Sequence, residues 1–137
     1  MSRGHALPIG ISVVTANIAV TCIAGAQSLD RTWRVTDKSG TAVQVRQYQE
    51  TKPDCTTAAI PNIAIDHPPA HGSVTTQIES VKVDPLRARR CIGAKLTGVA
   101  VVYTSNAGFR GEDNFSYTVT FSADSRRFHD TAIVTVR

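Results

Sequence analysis

The sequence predicts an all-β chain folded as an antiparallel β-sandwich, and three observations carry that prediction. The 137 residues hold 15 valines, 10 isoleucines and 16 threonines against 4 leucines and 1 methionine. β-Branched side chains lose rotamer freedom in a helix and fit a pleated surface, so this inventory disfavours a helical bundle. Apolar residues recur at every second position through most of the chain, which is the period of a half-buried strand. Turn residues separate these runs, and no helix-length pattern lies between them.

The first 26 residues stand apart. Arg3 and the terminal amine precede an uncharged stretch from Ala6 to Ala24, which closes on Ala24-Gly25-Ala26 ahead of Gln27. This reads as a signal peptide cleaved after Ala26. The rival is an uncleaved anchor, because the stretch is just long enough to span a bilayer. Pro8, Gly10, Ser12, Asn17 and Thr21 make it a poor one. Val20-Thr21 lacks the small residue that precedes a lipidated cysteine, so Cys22 does not read as a lipoprotein site.

Cleavage leaves residues 27–137 as one domain, periplasmic or secreted, without a stable membrane span. Cys22 departs with the leader, and Cys55 and Cys91 are then expected to form a disulfide, as a lone pair does in an exported chain. On the chain-entropy picture that bridge contributes about 3–4 kcal/mol. In a reducing compartment the two would be free thiols. The net charge of +4 falls by one when Arg3 is lost. Arg87, Arg89 and Arg90 cluster before Cys91, with Lys95 nearby, and Arg126-Arg127 form a second pair. Such a run either holds an anionic partner or is a solvated loop. Nucleic acid is not an expected partner, because no aromatic side chains interleave with these arginines to stack bases.

Taken in order, Thr32 to Thr36 reads as a strand with Trp33 and Val35 on one face, and Asp37-Lys38-Ser39-Gly40 as a turn. Thr41 to Gln47 resumes the alternation with Val43 and Val45 inward, and Gln49 to Thr57 reads as a loop. Ile63 and Ile65 head a short strand that stops at His67-Pro68-Pro69-Ala70-His71-Gly72. Ser73 to Val83 is an extended run, and Pro85 to Arg90 a basic loop. Val99, Val101 and Tyr103 form the next inward face. Phe115, Tyr117, Val119 and Phe121 follow a loop at Ser105 to Gly111, and Ala132, Val134 and Val136 line the last strand.

Two segments carry a resemblance. Pro68-Pro69-Ala70-His71-Gly72-Ser73-Val74, followed by Tyr103-Thr104-Ser105-Asn106-Ala107-Gly108-Phe109-Arg110-Gly111-Glu112-Asp113-Asn114-Phe115-Ser116-Tyr117-Thr118-Val119, resembles the bacterial immunoglobulin-like, cadherin-like repeat of surface adhesins. The match runs from about Ile63 to Val136, and residues 27–60 carry no such pattern. The resemblance implies an immunoglobulin-like (cadherin-like) sandwich, with the Tyr117 hydroxyl bonded back to the backbone in a tyrosine corner. Gly108 and Gly111 suit a tight loop, Phe109 the open end of the core, and Asp113 a turn into the strand. Family members occur in tandem, some stiffened by calcium at their junctions. Here one copy is present, and the acidic, glycine-rich segment that often follows the F-x-Y-x-V strand in the family is replaced by Ser122-Ala123-Asp124-Ser125-Arg126-Arg127-Phe128-His129, whose two arginines oppose a cation. No calcium site is therefore carried over, although Asp66, Asp113 and Asp130 are the first oxygens to inspect.

No phosphate loop, nucleophile elbow, H-E-x-x-H or C-x-x-C is present. His67 and His71 flank two prolines and cannot share a helix face as zinc ligands would. His129 beside Asp130 has the form of a base and its orienter, but no nucleophile accompanies it. Asn114-Phe115-Ser116 is a glycosylation sequon set inside a strand. The expectation is an exported, non-enzymatic module without a metal or other cofactor. It acts by binding an envelope component or a protein partner, with Arg87, Arg89 and Arg90 as contacts, or as a structural part of the envelope. The alternatives are a small secreted enzyme or inhibitor using loops at one end of the sandwich, and assembly through unpaired sheet edges.

Overall fold

The computed structural model describes residues 29–83 and 89–137. The expected signal peptide and Arg87 lie outside the described residues, as does the side chain of Arg89. Seven strands follow one another: β1 (Leu29–Asp37), β2 (Ala42–Tyr48), β3 (Asn62–His67), β4 (Gly72–Lys82), β5 (Lys95–Ser105), β6 (Gly111–Thr120) and β7 (Arg127–Val136). A 3-10 turn, Arg89–Cys91, precedes β5. Each strand falls where apolar residues alternate, and each gap where glycine, proline, aspartate or serine breaks the pattern.

Four strands form one sheet in the order β1-β7-β6-β3, and three form the other in the order β2-β5-β4. The chain is thus all-β in two layers, as expected, with one correction. β1 pairs with β7 in parallel, from Leu29 opposite Phe128 to Asp37 opposite Val136. The other four ladders are antiparallel. Alternation within a strand says nothing about the direction of a partner distant in sequence, so this pairing lay beyond the pattern.

The core between the layers is built from the faces that alternation marks: Val99, Val101 and Tyr103 of β5, Phe115, Tyr117 and Val119 of β6, and Ala132, Val134 and Val136 of β7. Tyr103, Phe115 and Tyr117 stack in a row, with ring centroids 5.9 and 5.7 Å apart, an arrangement that adds to area burial. In β2 the register shifts between Gln44 and Arg46, so the alternation slips by one residue. Strict alternation would put Gln47 inward. The bulge turns Tyr48 into the core instead, where it is 5% exposed.

A second, smaller cluster of Val83, Cys91 and Leu96, with Cys55 and Ala94 against it, lies beside the main core. The Cys55 and Cys91 sulfurs are at bonding distance, with Cα atoms 5.3 Å apart. The bridge ties the loop after β2 to the turn before β5. Gly108 and Gly111 have φ of +83° and +131°, conformations that side-chain-bearing residues rarely adopt.

Candidate functional site: a buried ion pair beneath a cationic cleft

Successive residues on a strand face opposite ways. Asp130 therefore shares the inward face of Ala132, Val134 and Val136, and Arg31 that of Trp33 and Val35. The parallel ladder sets Arg31 and Asp130 directly opposite each other. Arg31 Nε donates to Asp130 Oδ1 at 2.7 Å, and Nη2 to Oδ2 at 2.8 Å. Trp33 Nε1 donates to Oδ2 at 2.9 Å, and the Tyr48 hydroxyl donates to the same oxygen. A carboxylate only accepts, so Tyr48 gives its proton to Asp130 and accepts in turn from the Tyr117 hydroxyl 2.8 Å away. Asp130 has no exposed surface. An unpaired charge there would be strongly unfavourable, and four donors offset its desolvation.

This network corrects two expectations. Tyr117 does not close a tyrosine corner onto the backbone, because its hydroxyl points into the core and meets Tyr48. Nor does Asp130 orient His129, which faces the other side of the sheet. His129 Nδ1 lies 3.1 Å from Asp66 Oδ2, an oxygen that also accepts from Thr118 Oγ1 at 2.8 Å.

Arg31 forms the boundary between core and solvent. Its side chain is 24% exposed, and its guanidinium lies 3.8 Å from the centre of the Phe128 ring. Above it opens a cleft of about 790 Å³ between β2, the end of β4 and the β6–β7 loop, with Arg31, Arg46, Tyr48, Glu50, Lys82 and Arg126 on its walls. The Arg46 guanidinium stacks 4.0 Å above the Trp33 ring, a contact that holds a cation in place without neutralising it. Arg126 pairs with Asp124 and lies 5.1 Å over Phe121. Glu50, 5% exposed, accepts from the Ala123 amide at 3.0 Å and Ser122 Oγ at 3.3 Å, pinning the β6–β7 loop to the cleft wall. Among the described residues Arg46 has no carboxylate within ion-pair distance.

Burial pushes the Tyr117 phenol up to about 12; the Asp130 charge adds to the rise, against the Tyr48 hydrogen bond and the charges of Arg31 and Arg46. Tyr48 is raised further, by burial, by Tyr117 and by its bond to Asp130.

A second buried carboxylate explains the quoted sequence motifs. Asp113 accepts from the amides of Ala70 (3.0 Å), His71 (2.8 Å) and Asn114 (3.0 Å), and from the Tyr103 hydroxyl at 2.9 Å. The two quoted segments are thus halves of one clamp at an end of the sheets. Gly72 belongs to it, since a Cβ there would lie 2.5 Å from the Thr104 carbonyl oxygen and 2.6 Å from the Tyr103 ring. Phe109 packs against the core as expected and stacks on His71, with centroids 4.2 Å apart. His67 and His71 are exposed.

Asp66 lies on an outer face and Asp130 in the core; Asp113, expected in a turn, is instead a buried residue of β6 opposite Val134, and each of the three is bound to a proton donor. Among the described residues no group of three His, Cys, Asp or Glu side chains is placed to hold a metal ion. Of the basic run, Arg90 is exposed, with its carbonyl oxygen 3.7 Å from Cys55 Sγ. The cations of the cleft come from other segments: β1, β2, β4 and the β6–β7 loop. Residue parity could have found Arg31 and Asp130, because counting back two positions from Trp33 and from Ala132 places both on inward faces. Nothing in the spacing signals the bulge that brings Tyr48 to them.

Neither a protein-family model nor a curated protein matches the chain. Among the described residues no helix is long and apolar enough to cross a membrane.

Proposed function

We propose that the chain is an exported, non-enzymatic immunoglobulin-like module that acts by binding, with the cleft above Arg31 as its ligand face and an anionic group of an envelope component as its ligand. The observation that carries this reading is Arg46, a cation stacked on Trp33 at the wall of an open cleft and without a carboxylate partner among the described residues. Its charge is available to a ligand, whereas those of Arg31 and Arg126 are already matched.

The strand order supports the immunoglobulin-like reading. In such sandwiches strands B, E and D lie in one sheet and C, F and G in the other. The orders β2-β5-β4 and β7-β6-β3 correspond, with the first strand attached beside the last. The bonded cysteines support export, since disulfides persist in oxidising compartments. The non-enzymatic reading is supported by the commitments of the acidic groups: Asp113 and Asp130 hold structural donors, and His129 faces Asp66 on an outer sheet face.

Retention on a dextran sulfate matrix under a salt gradient tests the proposal. Arg46→Ala is expected to elute at clearly lower salt than the parent chain, while Arg87→Ala/Arg89→Ala/Arg90→Ala shifts elution little. The reverse pattern would move the contact to the basic run, and no retention of the parent would refute an anionic ligand.

A further inference from the structure

The four strands at sheet edges are guarded unequally. An unpaired edge invites another strand, and proteins blunt it with charge, proline, bulges or brevity. β1 carries Asp30, Arg31, Arg34 and Asp37. β2 is bulged and bears Arg46. β3 has 6 residues, breaks register between Ile65 and His67 and runs into Pro68-Pro69. β4 has none of these devices along most of its length. It spans 11 residues, pairs with β5 in unbroken register, contains no proline, and has its only charges, Glu79 and Lys82, near one end. Among the described residues no strand pairs with its outer side.

Ile78 marks the consequence. Val74 and Ile78 stand opposite Tyr103 and Val99 of β5, which are 0% and 3% exposed. Ile78, on the same inward face, is 61% exposed. β5 is covered because a strand flanks it on each side, and Ile78 is bare because the sheet stops at β4.

We propose that β4 pairs antiparallel with β4 of a second copy of this chain, about a two-fold axis at Thr76, joining two three-stranded sheets into one of six. An isologous antiparallel pairing sets one residue opposite itself, and the sequence selects which. Centred on Thr76, each Ile78 falls opposite Val74 of the other copy, Thr75 opposite Gln77, and Ser73 opposite Glu79, so no like charges meet. Centred on Gln77, Ile78 would face Thr76 and Val74 would face Ser80, which leaves the apolar pair unmade. Cross-strand apolar pairs are the unit of sheet stabilisation, and they favour the Thr76 centre.

Sedimentation equilibrium of the full chain tests this. The expected result is a monomer–dimer equilibrium that Ile78→Lys weakens by about tenfold or more, through a charge from each copy set opposite Val74 on the inward face of the joined sheet. Ile78 is exposed in the single chain, so the variant's circular dichroism should match the parent's. In a Cys22→Ser background, Thr76→Cys is expected to oxidise to a covalent dimer and Thr75→Cys, set opposite Gln77, is not. A chain monomeric up to about 1 mM, a dimer indifferent to Ile78→Lys, or equal cross-linking at the two positions would each overturn the proposal. So would an edge that takes up an added β-strand peptide while the copies stay apart.

Discussion

Arg31 and Asp130 are direct partners in the one parallel ladder among the described residues, joined by two hydrogen bonds of 2.7 and 2.8 Å on a carboxylate with no exposed surface. The pair links the first strand to the last, and through Tyr48 and Tyr117 it links the two sheets. Removing one member leaves the other charge buried without its partner. Arg31→Met is expected to lower unfolding free energy by about 3–5 kcal/mol, read from urea denaturation. A loss under about 1 kcal/mol would mean that solvent reaches Asp130 when the arginine is gone.

Asp113 should govern part of the acid limb of stability. Burial pushes its pKa up, but the His71 and Ala70 amides, the Tyr103 hydroxyl and the Asn114 amide together hold it below the usual carboxylate range. A pKa lower in the folded than in the unfolded chain gives stability that is complete above about pH 4 and is lost as pH falls through the folded value. Asp113→Asn is expected to cost about 2 kcal/mol at neutral pH and to flatten the decline below pH 4, measured by denaturation across pH.

The alkaline limb belongs to the phenols. The chain has three tyrosines, and all three are raised: Tyr117 to about 12, Tyr48 and Tyr103 further, with burial the largest cause in each. Phenols raised on folding contribute stability that is full below about pH 10 and lost as pH climbs through their folded values. An absorbance titration at the phenolate band should show no tyrosine ionising near pH 10 in the folded protein, with ionisation and unfolding arriving together at higher pH. Two phenols titrating near pH 10 with the fold intact would contradict the buried Tyr48–Tyr117 pair, and one that disappears in Tyr103→Phe would instead contradict the bond from Tyr103 to Asp113.

The bridge between Cys55 and Cys91 spans 36 residues of sequence. Closing that loop in the unfolded chain is worth about 4 kcal/mol on the entropic account. Cys55→Ala/Cys91→Ala should lose stability of that order, while the main core, to which neither cysteine belongs, keeps its spectrum.

Gly98 of β5 lies against the end of β2 and the side chain of Val81. A Cβ there would lie 2.6 Å from the Tyr48 carbonyl oxygen and 2.8 Å from Val81 Cγ2. Gly98→Ala is expected to destabilise by about 1–3 kcal/mol, through the strain of overpacking, in the same urea assay.

Parity reached far into this structure. The inward faces of β6 and β7 follow from alternation, since their large apolar residues recur at every second position, whereas β5 is buried on both faces from Gly98 to Tyr103 and its core face was marked by Val99, Val101 and Tyr103 as the bulkier set. The quoted motifs led to a structural clamp, since aspartate, glycine and histidine recur where a turn needs amide acceptors and close backbone approach. The cleft was out of reach for a different reason. Its cations come one each from four segments, and what unites them is pairing at long range: a parallel ladder between the ends of the described chain and a one-residue bulge in β2. Arg46 looks like any solvent-facing strand residue until that bulge and β1 bring it over Trp33.

The parallel pairing of β1 with β7 also decides how the fold bears tension. Leu29 begins β1 beside the start of β7, and Val136 ends β7 beside the end of β1, so these two points lie about 26 Å apart along the strands. A pull between them runs along the ladder rather than across it. All 9 residue pairs would share the load in shear, with Arg31 and Asp130 as a rivet among them, and none could be peeled open before the rest. A module stretched in this direction would yield only when the whole ladder slipped.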